Sequence, residues 1–241
     1  MLEANSMNDQ IVLVAGASRG IGRACVDAFL QAGARVAAVA RSFGEEGSSA
    51  EYLPVRADLA RADEAERAVL RVRQQLGPIT CVVHCVGDIA EPRPLAALGW
   101  GRWRETLDLC LGSAVHLAAA TLDDVAASAG SYVVVSSLGA HKPYPGIADY
   151  CAAKAALSSL VKSLALELAP SRARANAVSP AVVDTDLLRR APFSEEEAAS
   201  WHKLGRVGQP EEVARLCLYL ASPAAAWVTG QDWIIDGGMG L

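Results

Sequence analysis

The sequence predicts an α/β fold: a doubly wound parallel sheet of about seven strands with helices on both faces. Three observations point there. Short β-branched apolar runs alternate with helical patterns along the whole chain, which is the signature of parallel strands joined by crossover helices. The first strand runs directly into a glycine-rich turn that opens a helix. The run Tyr132-Val133-Val134-Val135 ends in Ser136-Ser137, and a loop rich in Gly and Pro then leads to an Ala-rich helix carrying Tyr150 and Lys154.

The first strand is 11–15, Ile-Val-Leu-Val-Ala, too continuously apolar for a half-exposed strand and so buried on both faces. Gly16, Ser18, Arg19, Gly20, Ile21 and Gly22 follow, and a helical pattern continues to Ala32 before Gly33. Strand, glycine turn and helix together form a dinucleotide site. Gly16 allows the tight turn, Gly20 the close approach of a pyrophosphate, and Gly22 close helix–strand packing, with the phosphates at the helix N-terminus. Residues 35–40 form the second strand and complete a βαβ unit. At its end, where an NAD site places a carboxylate on the ribose, stand Arg41 and Ser42. Arg41 and Arg19 make a clamp for a 2′-phosphate, so the expected cofactor is NADP(H).

A third strand, 52–57, ends in Asp58-Leu59, with Asp58 placed to accept from an adenine amino group. A charged helix covers 63–76. The fourth strand, 79–85, closes with Val86-Gly87 at the same sheet edge as the glycine turn. A long helix is expected over about 103–127, the fifth strand over 132–135, and a helix from Tyr150 to Leu168 that Pro170 stops. Tyr150 and Lys154 are four apart and share a face, which the preceding loop can fold back over Ser137. A sixth strand covers 174–179 and Pro180 ends it. The polar segment 184–209, with Phe193 and Trp201, is expected to be a lid over a pocket. A helix over 210–221 and a strand over 233–236 complete the chain.

Ser137, Tyr150 and Lys154 carry complementary chemistry. A phenol titrates near 10, and a neighbouring ammonium together with a cationic cofactor is expected to bring that down by stabilising the phenolate. The serine hydroxyl donates to a carbonyl oxygen while the tyrosine exchanges the proton.

Composition narrows the classes. With 241 residues, 52% apolar content and no linker or repeat, a single domain is expected, with 1–10 as an N-terminal extension. A net charge of −5 with no basic cluster argues against nucleic acid. No apolar stretch is read as reaching about 18 residues, the length of a membrane span, and residues 1–10 are too polar for a signal peptide. A cytoplasmic protein is expected. The six cysteines and four histidines show no ligand spacing, so no metal is expected, and the cysteines read as buried reduced thiols.

Taken together, the stretch 15–22, Asp58, Ser137 with Tyr150 and Lys154, Pro180 followed by Thr185, and the closing Asp236-Gly237-Gly238 resemble the classical short-chain dehydrogenase/reductase family. The resemblance runs from Ile11 to the C-terminus and is strongest to 3-oxoacyl-thioester (acyl-carrier-protein) reductases and related ketone reductases. It implies a Rossmann-like fold, a nicotinamide cofactor, Ser137 as carbonyl polariser, Tyr150 as acid/base, and Lys154 binding the ribose. It also implies cofactor contacts from Leu59, Cys85, Gly87, Val183 and Thr185, the last on the carboxamide. A homotetramer, or a homodimer, paired through the helices 103–127 and 150–168 follows from the same resemblance. The chain departs from the family at His84-Cys85-Val86-Gly87, where the family has Asn-Asn-Ala-Gly, at Ala181 after Pro180, and at Cys110 in place of a helix asparagine.

The expected activity is NADPH-dependent reduction of a ketone. The reverse alcohol oxidation, or a cofactor-binding regulatory subunit with weakened catalysis, are the alternatives.

Overall fold

The computed structural model describes residues 7–44 and 47–241. Its strands are β1 (Ile11–Ala15), β2 (Arg35–Ala40), β3 (Tyr52–Arg56), β4 (Cys81–His84), β5 (Ser131–Val135), β6 (Arg174–Pro180) and β7 (Asp232–Ile235). They form one sheet in the order β3-β2-β1-β4-β5-β6-β7, parallel at every pairing. The order reverses between β1 and β4, and the chain leaving those two strands opens a crevice at their C-terminal ends.

Alternation along the strands divides the apolar side chains between two layers. Leu13, Val82 and Tyr132 pack with Leu117, Val161 and Leu157 on one face, beneath α2 (Ala62–Gln75), α4 (Ser113–Ala127) and α5 (Ala148–Leu168). Val12, Val14 and Val83 pack on the other with Cys25, Phe29, Cys217 and Leu220, beneath α1 (Gly20–Gln31) and α8 (Pro210–Ala221). Burying a side chain such as Phe29 contributes roughly 1.5–3 kcal/mol. All six cysteines are free thiols, five of them buried and Cys85 half-buried.

Several expected boundaries shift for local reasons. The N–H of Ile79 donates to the Asp124 carboxylate at 3.1 Å rather than to a strand, so β4 begins later. Asp236 leaves β7 because its carboxylate accepts from Gly238 at 2.9 Å and from Gly240 at 2.7 Å, forming a turn. The helix bearing Tyr150 starts two residues earlier, at Ala148. Of the N-terminal extension, residues 1–6 lie outside the described residues, whereas Met7 is buried and its N–H donates to the Ala32 carbonyl at 3.0 Å.

The helix expected over about 103–127 begins at Trp100 and is interrupted. The helix α3 (Trp100–Leu107) passes into a π-helical turn over Asp108–Gly112 before α4. Such turns are frequent at functional sites. Taken as one, Trp100–Ala127 is long and apolar enough to cross a membrane by length and composition, which corrects the expectation that no stretch reaches that length. Its inward face is used in the fold: Cys110, Leu117, Thr121 and Val125 are all buried.

The segment 184–209 is more structured than a polar lid. It holds α6 (Asp186–Arg189) and α7 (Glu195–Trp201), and Leu188, Ala198 and Val207 are buried together as a small core of its own. A bridge between Val183 and Gly208 closes the base of this flap.

Candidate active site

The C-terminal ends of β1, β4, β5 and β6 open into a cleft of about 1420 Å³. Cavities for drug-sized ligands run to roughly 1,000 Å³, so this one has room for a dinucleotide and a second molecule. The predicted site residues line it: Gly16, Ser18, Arg19, Gly20, Ile21 and Gly22 of the glycine turn, with Arg41, Ser42, Asp58, Leu59, Cys85, Gly87, Ser137, Tyr150, Lys154, Pro180, Val183 and Thr185, are all on its wall.

At one end lies the start of α1. Its N-cap makes no side-chain hydrogen bond and its first turn carries no acidic residue, so its free N–H groups and positive dipole end face the cleft. The glycines here are required by contact. A Cβ on Gly22 would lie 2.1 Å from the Gly16 carbonyl oxygen, and Gly20, at φ +54°, would bring one to 3.1 Å from the Thr185 methyl. An uncapped helix N-terminus with a glycine cradle fits the pyrophosphate of a nicotinamide dinucleotide. Thr185 therefore rests on the glycine turn, with its hydroxyl donating to the Val183 carbonyl at 3.3 Å. Arg41 is exposed at the end of β2. Arg19 reaches Asp186 of the flap at 3.6 Å, a contact the sequence reading did not include. Asp58 accepts from the Ala60 N–H at 3.1 Å, and its own N–H donates to Glu64 at 2.7 Å.

At the other end, the Ser137 hydroxyl lies close enough to the Tyr150 phenol to favour its ionised form. Ser137 Oγ also accepts from the Gly139 N–H at 3.0 Å, which leaves its own proton free to donate. Lys154 is buried. Its Nζ donates to the carbonyls of Val135 at 2.8 Å and Val86 at 3.2 Å, and lies 5.7 Å from the centre of the Tyr150 ring. Gly87 leaves space for that ammonium, since a Cβ there would come within 2.9 Å of Nζ.

The residues of the chain do not by themselves produce the fall in the Tyr150 pKa expected from Lys154 together with a cationic cofactor. Burial, then the neighbouring Cys110 thiol, push the phenol above its ordinary value, and the Ser137 hydroxyl only partly offsets them. Burial likewise pushes the Lys154 ammonium down. The phenol is thus neutral and protonated at physiological pH. That is the form that can give a proton away.

Behind this pair, the departures from the family pattern meet. Cys110 is buried in the π-helical turn, with its sulfur facing Gly87 and Lys154. The turn is pinned by His84, whose Nε2 lies 2.8 Å from Ser113 Oγ. Ser113 spends its single proton on the Leu109 carbonyl at 2.5 Å, so His84 Nε2–H must be the donor. Nδ1 is then bare, and among the described residues it has no partner. Burial, then the Lys154 charge, lower the His84 pKa from 6.5 to about 3. Its stabilising effect is complete above pH 6.5 and is lost as pH falls through the folded value near 3. His84→Asn is expected to reduce the slope of unfolding free energy against pH by about one proton's worth across that window. Denaturant titrations at several pH values check this, and an unchanged slope would mean that His84 charges in the folded protein.

Two contacts were not visible beforehand. Asp149, next to Tyr150 and fully buried, accepts from Arg102 at 2.7 Å and Thr106 at 2.8 Å, tying the start of α5 to α3. Burial raises its pKa, but those two hydrogen bonds outweigh it and hold the carboxyl low. Asp88 and Arg190 pair at 2.7 Å across the mouth of the cleft. Both join parts of the chain far apart in sequence, and no local pattern announces them.

Comparison with known proteins agrees with this architecture. A family model described as Enoyl-(Acyl carrier protein) reductase matches residues 16–240. The 2,3-dihydro-2,3-dihydroxybenzoate dehydrogenase of Escherichia coli is 33% identical over 95% of this chain and 96% of its own. The ligand-free aldohexose dehydrogenase of Thermoplasma acidophilum superposes with a TM-score of 0.90 at 29% identity, covering 98% and 96% of the two chains. The 3-ketoacyl-(acyl-carrier-protein) reductase of Brucella melitensis complexed with NADH superposes with a TM-score of 0.91 at 25% identity, covering 98% and 100%. With a Rossmann-like sheet, a dinucleotide cradle and these relatives over nearly its full length, the chain belongs to the classical short-chain dehydrogenase/reductase family and is an oxidoreductase that uses a nicotinamide cofactor.

Proposed function

We propose that the protein is an NADPH-dependent carbonyl reductase that converts a ketone or 3-oxoacyl-type carbonyl to a secondary alcohol. The observation that carries this reading is the protonated Tyr150 phenol beside Ser137 in the same cleft as an uncapped helix N-terminus. When bound, the nicotinamide supplies the hydride for the carbonyl carbon. Ser137, held by Gly139, donates to the carbonyl oxygen and orients it. Tyr150 gives that oxygen its proton as negative charge develops. Lys154, gripped by the Val86 and Val135 carbonyls, is a fixed cation one helical turn away that stabilises the phenolate left behind. Its place on the cleft wall also suits it to hold the nicotinamide ribose.

Arg41 and Arg19 favour NADPH over NADH in this reading, because no Asp or Glu occurs between Ala34 and Gly44 to receive a ribose hydroxyl. Cofactor oxidation over a panel of ketones tests the assignment, and a protein that binds NADPH but turns over no carbonyl would refute it.

The buried thiol of Cys110 is compatible with turnover. A thiol is a weak donor and acceptor, so Asn there adds one or two neutral hydrogen bonds at about 1 kcal/mol each. Cys110→Asn is therefore expected to raise kcat by no more than roughly 5- to 30-fold on the same ketone. A thousandfold gain would mean that the natural protein lacks a relay it needs, and a cofactor-binding regulator would become the better reading.

A further inference from the structure

Beyond Ser137 and Tyr150 the cleft has apolar walls. On one side the C-terminal tail is pinned over the loop after β5: Lys142 donates to the Met239 carbonyl at 3.0 Å, and the Tyr144 hydroxyl reaches the Met239 sulfur at 3.9 Å. On the other the flap contributes Leu188, Phe193 and Trp201, the two aromatic rings meeting edge to face with centres 4.7 Å apart. The charged side chains around this end are already matched. Asp88 pairs with Arg190 at 2.7 Å, Glu91 with Arg93 at 3.0 Å and Asp186 with Arg189 at 2.7 Å.

Two substrate classes fit such walls poorly. A sugar would bury several hydroxyls against carbon, with an unpaired polar group as the cost of each. A carboxylate could reach Arg190 only by displacing Asp88, whose charge would repel it on the way in. The Asp88–Arg190 pair itself spans 102 residues of sequence, from the loop after β4 to the flap, and both partners lie on the cleft wall.

Resting on the carbonyl-reductase reading, we propose that the acceptor is an uncharged ketone with an aromatic or branched apolar body, seated among Tyr144, Leu188, Phe193, Trp201 and Met239. The Asp88–Arg190 pair selects against carboxylates because the Asp88 charge repels an incoming anion and competes with it for the guanidinium.

The full-length protein is assayed by NADPH oxidation with benzylacetone, its para-carboxy analogue and an acetoacetyl thioester, and by NADP+ reduction with an aldohexose. Benzylacetone is expected to exceed its carboxylated analogue by about tenfold or more in kcat/KM, which corresponds to about 1.4 kcal/mol. Asp88→Asn frees Arg190 and should shrink that ratio, whereas Arg190→Gln leaves Asp88 unopposed and should widen it. General damage to the fold would lower both rates together without moving the ratio in opposite directions. Wild-type preference for the carboxylated ketone, the thioester or the aldohexose, or a ratio that neither variant moves, overturns this inference and leaves the reductase reading intact. Absence of turnover with every carbonyl brings down the reductase reading, and the inference with it.

Discussion

Tyr150→Phe is expected to lower kcat for ketone reduction by about 10²–10⁴ while cofactor affinity stays nearly unchanged, since general acid catalysis contributes on that order. The substitution is narrow. The phenol hydroxyl stands beside Ser137, and Ser137 keeps its bond from Gly139 when that hydroxyl is removed, so the site should hold its shape. What disappears is the proton. The direction of the Tyr150 shift adds a second expectation, because burial holds the phenol above its ordinary value and an acid acts only below its pKa. Reductive kcat should therefore show no alkaline fall below about pH 10, the ordinary phenol value. A pH–rate profile for wild type, with the Phe variant as the baseline, reads both. Near wild-type turnover in the variant would rule out Tyr150 as the acid. An alkaline limb centred near neutrality would mean instead that Lys154 depresses the phenol, as the spacing of the two residues first predicts.

That reversal shows where reading a sequence stops. The spacing of Tyr150 and Lys154 sets them on one helical face, and the apolar runs 11–15 and 35–40 specify β1 and β2 to the residue, because each signal is local. The whole glycine turn was legible for the same reason. The environment of Lys154 was not. Its ammonium is held by carbonyls from the ends of β4 and β5, 68 and 19 residues away, and the balance of burial against charge depends on that packing. The π-helical turn at Asp108–Gly112 is similarly non-local, since its anchor joins Ser113 to His84, 29 residues earlier. The flap reads as polar because its apolar residues are few, yet Leu188, Ala198 and Val207 find one another only after the chain between them folds.

Arg41→Asp is expected to shift cofactor preference from NADPH toward NADH by a factor of at least about 10–150. A charge-assisted hydrogen bond to the 2′-phosphate contributes roughly 1.5–3 kcal/mol, and its loss converts to that factor. The aspartate acts twice, repelling the phosphate and offering the ribose 2′-hydroxyl the carboxylate that β2 lacks. Arg41→Ala removes only the attraction and should shift the ratio less, which separates the two effects. Arg19 is expected to be the weaker half of the proposed clamp, since it stands 3.6 Å from Asp186. Both partners of that contact are about half exposed, at 59% and 47%, so it holds Arg19 by no more than about 1 kcal/mol and a phosphate can compete for it. Arg19→Ala should accordingly weaken NADPH binding by a smaller factor than Arg41→Ala. Dissociation constants for the two cofactors, measured on wild type and the three variants, decide the matter: a wild-type protein that binds NADH as tightly as NADPH contradicts the clamp, whichever way the variants move.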